Sequence, residues 1–579
     1  MFDTGRPSRR NWLSGSAAVA AAALTPRGAA AATDERADLI LRNARIATMD
    51  LRRPHAEAIA IRGEWIVAVG SNASIDAYRG SRTHVVDVRG RRIVPGIIDS
   101  HVHLVQASRL RSTFNLVEAR SVREMQHTIA AYARRRPTGW IEGFGWTYDQ
   151  FGGSLPTREL LDEVSKDRPI VVNSYDFHSA WLNSRALEFA GITAATPDPI
   201  QSGRKAGEIV RDRHGRPTGV LKEGAVALVR RALPPPPLAD DIASIEGGQR
   251  VANRFGITSV LNASGTPHEL ALYAHMRRQG RLHLRTRTAL AEIGVRHSFS
   301  QSELASFEAA RREYTDPWVR AGAVKFFADG IIETETAHML APYAGCCGTG
   351  PTNYTVEEFR HDVALLDRRG FQVITHAIGD GAVRSTLDAY AAADATNGRR
   401  DRRFRIEHIE TLDPADLPRF APLDVIASMM PLHCCPDGSG SGIWERHLGP
   451  ERLSHTFMWH GLRATGARLV FGSDWPVVTN DPWLGLQSAV TRADLHGKPH
   501  GGYFPEQRVS LAQALRSYTR DAAHAAFLDD VTGMLAPGLG ADLAVLSDDV
   551  YAVAPERLHE VYALRTIVGG RTVWDAHAG

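Results

Sequence analysis

The chain has 579 residues, too many for one ordinary core, and predicts two or three packed units. Its 43% hydrophobic and 23% charged content is that of a globular protein, and no apolar run beyond the N-terminus is long enough to cross a bilayer, so no stable membrane insertion is expected. The formal charge of +3 is carried by residues 1–32, where Arg6, Arg9, Arg10 and Arg27 outnumber Asp3, so the remainder is near neutral and offers no electrostatic case for nucleic acid.

Residues 7–32, PSRRNWLSGSAAVAAAALTPRGAAAA, read as an address rather than as structure: a basic start, an alanine-rich apolar stretch, then small residues. The segment resembles a twin-arginine export signal, with Ser8, Arg9, Arg10, Trp12 and Leu13 on that pattern and cleavage expected near Ala30–Ala32. That resemblance implies an export signal over 1–32, engagement of the export machinery, and a bacterial protein delivered to the periplasm or secreted. A disordered alanine-rich tail is the alternative.

Residues 38–94 read as short strands with glycine turns, in ADLILRNARIATMD, EAIAIRGEWIVAVG and HVVDVRGRRIVPG. Residues 540–579 read the same way, in GADLAVLSD and ALRTIVGGRTVWD. Neither end can make a stable sheet alone. Both termini are therefore expected to pair into one β-sandwich, 38–94 plus 530–579, with everything else inserted between them. Two independent flaps would leave sheet edges exposed.

Between the termini, eight strand-like runs alternate with helix-like ones: 96–103, 257–263, 284–290, 323–329, 372–378, 403–409, 425–431 and 468–474. EEFRHDVALLDRRG (357–370) is one of the helical stretches. This many strand–helix repeats predict an α/β fold, a closed parallel (β/α)8 TIM barrel over 95–112 plus 246–529, with chemistry at the C-terminal strand ends. Residues 113–245 break the rhythm with further strands, IEGFGW and PIVVNSYDF, and end in LPPPPLADD. They read as a subdomain inserted over the barrel mouth, with the prolines as a linker or hinge. The four cysteines form two adjacent pairs, Cys346–Cys347 and Cys434–Cys435, a spacing that fits no zinc ribbon. A bridge between the pairs and free thiols are both open.

The strand ends carry the chemistry. In VPGIIDSHVHL (94–104), positions i, i+2 and i+4 of a strand share one face, so Asp99, His101 and His103 are expected to point the same way and the imidazoles to grip one metal ion. AVKFFADG, ITHAIGD, RIEHIE and FGSDWPV add Lys325, His376, His408 and Asp474, each at or near the end of an apolar run. Imidazole suits zinc, iron, nickel or copper, and a carboxylate adds a hard oxygen ligand. One His-x-His among 24 histidines is a weak signal, but five such motifs in order are not. A buried ammonium at Lys325 would be costly. A carbamate formed there with carbon dioxide would remove the charge and offer two oxygens, able to bridge ions about 3.5–4 Å apart. The alternative is an unmodified lysine paired with Asp329 or Glu333, or gripping a substrate anion.

These motifs, with GWTYDQ, VNSYDFHSAWLNSRAL, GEIVRDRHGRPTGVLKEGA, THAIGDGAV and GLGADLAVLSDD in the same order, resemble the amidohydrolase superfamily, specifically amidohydrolase family 3. The resemblance covers nearly everything after the signal. It implies a distorted barrel with a split β-sandwich. It also implies His101 and His103 as metal ligands after the first barrel strand, Lys325 after the fourth, His376 after the fifth, His408 after the sixth and Asp474 after the eighth. One or two divalent ions, zinc first among them, and an N6-carboxylysine at Lys325 follow from it. ADGIIETETAHML and MMPLHCCPDGSGSGIW depart from the family's usual text near the expected mouth and leave the substrate class open.

The expected reaction is hydrolysis of an amide or other non-peptide carbon–nitrogen bond of a small-molecule substrate. A metal ion lowers the pKa of water toward neutrality and polarises a carbonyl. Asp474 is placed to take the water's proton and return it to the leaving amine. His408, or His178 from the insertion, is placed to stabilise the oxyanion. His178 and Trp146 are the expected substrate contacts, and Trp146, Tyr148, Phe151, Trp181 and Trp475 suggest a partly apolar substrate unless they are ordinary packing. Two other classes stand beside this one. A binding or regulatory protein that has lost catalysis is disfavoured because every expected ligand position is filled. A metal-dependent isomerase or lyase would use the same scaffold. A homodimer is compatible with the sequence and not dictated by it.

Overall fold

The computed structural model describes residues 36–577 except 153, 202–203, 206, 292–298 and 435–441. The export-signal segment 1–32 and Cys435 lie outside the described residues. Eight strands make one parallel sheet in sequence order: β1 (Ile97–Val102), β2 (Ile257–Gly265), β3 (Arg285–Leu290), β4 (Val319–Phe327), β5 (Gln372–Ala377), β6 (Arg405–His408), β7 (Ile426–Met429) and β8 (Leu469–Phe471). Every residue of β1, β3 and β5 is buried, as expected of strands covered on both faces. The chain beyond β8 returns to β1 through a parallel bridge between Val102 and Trp475. His101 O accepts the Asp474 N–H at 2.8 Å and Trp475 O accepts the His103 N–H at 2.9 Å, which nearly closes the barrel. Leu261, Ala263, Ala289, Ala323 and Ile374 form an apolar cluster across β2–β5 that meets Ala526 and Leu528.

The two ends of the chain share a sheet. Arg92–Pro95 pairs antiparallel with Leu543–Leu546, Leu543 opposite Pro95, and the C-terminal strands Ala563–Val568 and Arg571–Asp575 extend that sheet. A second sheet holds the order 65–70, 58–62, 39–42, 84–87. Leu41, Ile59, Ile61 and Ile66 from it pack with Ile46, Ile93, Leu543 and Ile567 from the first, so one core needs both termini. The sandwich is tied to the barrel by Arg285 on β3, whose Nε donates to Asp542 Oδ2 at 2.6 Å with both side chains buried.

The inserted segment forms a six-stranded sheet in the order 207–211, 217–223, 179–182, 170–174, 141–146, 114–115. Its own core includes Met125, Ile129, Ile141, Ile170 and Val220. Two barrel helices flank it in sequence, α1 (Leu104–Leu110) and α2 (Leu238–Arg254). The proline run leads straight into α2, with Pro237 at its N-cap, so this helix spans the junction expected at 245/246. It packs along α1 so closely that a Cβ on Gly248 would overlap Ser108 Oγ. Cys346 and Cys347 are exposed free thiols, and Cys434 is buried.

Candidate metal centre

Each expected ligand lies at a C-terminal strand end. His101 lies within β1 and His103 caps α1 directly after it. Lys325 is on β4, His376 on β5, and His408 ends β6. Asp474 follows β8 by three residues. His408 and Asp474 have φ of 73° and 62°, a left-handed backbone that costs a non-glycine residue about 1–2 kcal/mol. Such strain persists where surrounding contacts impose it and concentrates at functional sites. Gly472 permits the close return to β1, since a Cβ there would stand 2.6 Å from His101 N.

The barrel converges these groups. Asp474 Oδ1 is 3.0 Å from His103 Nε2 and 3.4 Å from His101 Nε2. The His101 and His408 ring centroids are 5.1 Å apart, and those of His376 and His408 4.5 Å. Lys325 Nζ lies 3.5 Å from His101 Nε2. His376 Nε2 faces Gly330 O at 3.0 Å. Ligand atoms of His101, His408 and Asp474 all fall within 4.8 Å of one another, as do those of His408, Glu410 and His433.

Electrostatics suit a cation. Burial, helped by the Lys325 charge, pushes His101 down to about 4. Burial also holds His376 and His408 well below the ordinary range, so all three imidazoles are neutral and can ligate. Burial would raise Asp474, but His101, His103 and His408 outweigh it and keep the carboxylate ionised. His408 Nδ1 is buried without a hydrogen-bond partner. Orphaned buried polar atoms are costly. Converging lone pairs of neutral imidazoles around a carboxylate fit a divalent ion.

Lys325 is fully enclosed, and burial lowers its amine to about 8 against the opposing pull of Glu407 and Asp474. Asp329, one expected partner, is occupied instead by the backbone N–H groups of His338, Ile378 and Gly379.

Several groups around the centre escaped the sequence reading. Glu407 Oε2 is 2.6 Å from His101 Nδ1, fixing the ring so that Nε2 faces Asp474. Arg405 Nε donates to Glu407 Oε1 at 2.9 Å, and both side chains are fully buried. The signal was present in RIEHIE, where 405 and 407 share a strand face. Asp99 does not join the cluster of ligand atoms. It accepts from Ser473 N–H and Oγ–H at 2.9 and 2.6 Å and so anchors the residue before Asp474. His433, in the turn Pro431–His433 after β7, stacks parallel to His408 at 6.0 Å.

The insertion reaches the mouth through His178. Its ring centroid is 6.3 Å from that of His376, and its Nδ1 pairs with Glu223 Oε2 at 2.8 Å. Burial would lower His178, but Glu223 outweighs it and holds the imidazole up at about 9. The expectation for Trp146 is corrected. It is fully buried in the insertion's core, and its indole N–H donates to Val172 O at 3.0 Å, leaving nothing to offer a substrate. Trp181 is likewise fully buried, donating to Thr157 O.

Comparison with known proteins agrees with this architecture. The chain is 32% identical over 557 residues to Protein LONG AFTER FAR-RED 3 of Arabidopsis thaliana, covering 93% of this chain and 92% of that one. It is 29% identical over 549 residues to N-substituted formamide deformylase of Arthrobacter pascens, covering 92% and 97%. Among solved structures, an uncharacterized metal-dependent hydrolase from Pyrococcus furiosus superposes with a TM-score of 0.68 at 25% identity, over 88% of this chain and 99% of that one. Residues 84–574 match the profile of the Amidohydrolase family, a span that takes in the whole barrel and the insertion, and the chain belongs to that family.

Proposed function

We propose that this metal-dependent hydrolase cleaves an amide or other non-peptide carbon–nitrogen bond of a small organic molecule, with Asp474 as base and then acid. The observation that carries the reading is Asp474: ionised, strained into place, and with one oxygen turned to the imidazoles of His101 and His103. The similarity to an N-substituted formamide deformylase over 97% of its length supports the bond class.

His101, His103, Lys325, His376, His408 and Asp474 would hold one or two divalent ions, zinc being the first expectation. When bound, such an ion makes water a stronger acid and polarises a carbonyl oxygen. Asp474 takes a proton from the water that attacks the carbonyl carbon. As the carbon–nitrogen bond breaks, its electron pair passes to nitrogen, and Asp474 returns the proton there. The products are a carboxylic acid and an amine. His408 and His178 face the mouth where negative charge develops on the carbonyl oxygen. Lys325, neutral in part near physiological pH, is suited to carbamate formation, which requires the free amine.

Purification without chelator, metal analysis and amine release from N-benzylformamide test the reading. Bound divalent metal and amine release that stops on chelation and returns with zinc are expected. A metal-free protein that takes up none, or metal-loaded protein that releases no amine from any N-acyl or N-formyl compound, overturns it. Residues 1–32 are proposed to direct export to the periplasm or beyond, supported by the twin-arginine pattern at Ser8–Leu13. Cell fractionation with N-terminal sequencing of the mature protein checks this.

A further inference from the structure

We infer that Cys346 and Cys347 form a thiophilic site on the rim of the barrel, chelating one soft ion or metalloid between two thiolates. The inference stands apart from the hydrolase reading and uses no residue of the metal centre. Three observations carry it.

First, both thiols are free and exposed, whereas Cys434 is free and buried. Two adjacent sulfurs are therefore open to a ligand from solvent, and paired thiolates select soft ions over hard ones such as magnesium or calcium. Second, the loop that carries them is closed on itself. In the chain leaving β4, Thr349 O accepts the Met339 N–H at 2.7 Å, and Gly348 O accepts the Tyr343 N–H at 2.9 Å. Between these ties, Tyr343 O accepts the Cys346 N–H at 3.2 Å, and His447 O anchors the loop from outside by accepting the Ala344 N–H at 2.9 Å. The Gly348 N–H donates to Cys346 Sγ at 3.4 Å, which gives that sulfur a fixed direction. Ligands held on a closed loop lose less freedom on binding than ligands on a free chain. Third, the spacing favours a bridging atom over a disulfide. Neighbouring Cα atoms stand about 3.8 Å apart across a trans peptide, short of the roughly 4.4–6.8 Å that a disulfide spans. A direct bond would draw the sulfurs to about 2.0 Å. An ion with metal–sulfur bonds of about 2.3 Å and tetrahedral angles holds them about 3.8 Å apart instead.

Phenylarsine oxide is the probe, because its arsenic forms two bonds to the sulfurs of a dithiol. Its oxygen leaves as water with the two thiol protons, and nothing is oxidised or reduced. The reduced full chain is treated with one equivalent and digested in the absence of thiol. Arsenic is expected on the tryptic peptide 326–360, as distinct from 420–446, which holds Cys434 and Cys435. A large excess of 2-mercaptoethanol should leave the adduct in place and 2,3-dimercaptopropanol should remove it, because only a dithiol competes with a chelate. Cys346→Ser and Cys347→Ser, both at exposed positions, should each weaken retention against the monothiol by about 100-fold or more, the gain that a second linked contact gives. The metal content of the protein should not change. Absence of arsenic from 326–360, an adduct that the monothiol strips, full retention in either serine variant, or metal released by the arsenical overturns the inference.

Discussion

Replacing Glu407 by Gln removes one negative charge from the floor of the centre without changing shape. In the wild type, burial would push the Glu407 carboxyl up, but Arg405 and His101 outweigh it and hold it at about 2. Against an ordinary value of 4.5, that corresponds to roughly 3 kcal/mol of stabilisation at neutral pH. Breaking a buried ion pair from one side costs about 3–5 kcal/mol, the same range, because the partner charge stays buried. Arg405 has little slack, since its Nη1 already lacks a partner. The metal-free variant should therefore unfold at clearly lower denaturant than the wild type. Because the native pKa lies below the ordinary one, the difference is present above pH 4.5 and fades as pH falls through about 2. The variant should also bind zinc about 10- to 100-fold more weakly in competition with a chromogenic chelator, because His101 loses the acceptor that orients it. Zinc affinity within twofold of wild type, together with an unchanged unfolding midpoint, would refute the reasoning.

Asp474→Asn should lower turnover by about 100- to 10,000-fold while the far-ultraviolet circular dichroism stays native, and near-normal turnover would remove Asp474 from the proton transfer. If Lys325 bridges two ions as a carbamate, the native wild-type protein carries the added mass of one carbon dioxide, and Lys325→Met loses one ion of two; an unmodified amine in fully loaded protein contradicts the bridge. Arg285→Met leaves Asp542 buried with the Gly569 N–H, 2.8 Å away, and should destabilise by about 3–5 kcal/mol in denaturant melts. The double variant Arg285→Met/Asp542→Leu should recover much of that loss, because no charge is then stranded between barrel and sandwich.

Legibility in the sequence followed range. The eight barrel strands were readable because each is a short, fully apolar run between helical periods, and β1, β3 and β5 are buried throughout. The start of α2 was not readable, because a proline run reads as a hinge and equally as the lead into a helix. Trp146 was misread because an aromatic residue in an inserted segment looks the same in sequence whether it faces a pocket or fills a core.

Local chemistry determined where donor groups stand: a histidine or aspartate ending an apolar strand is costly to bury without a partner, so its presence marks a site before any fold is known. What those groups meet was decided by closure of the barrel. Glu407 reaches His101 across 306 residues of chain, Asp99 reaches Ser473 across 374, and Asp474 lies between imidazoles from β1 and β6. Hydrogen bonds and ion pairs act over a few ångströms, and positions hundreds of residues apart come within that distance only when every intervening strand is in register.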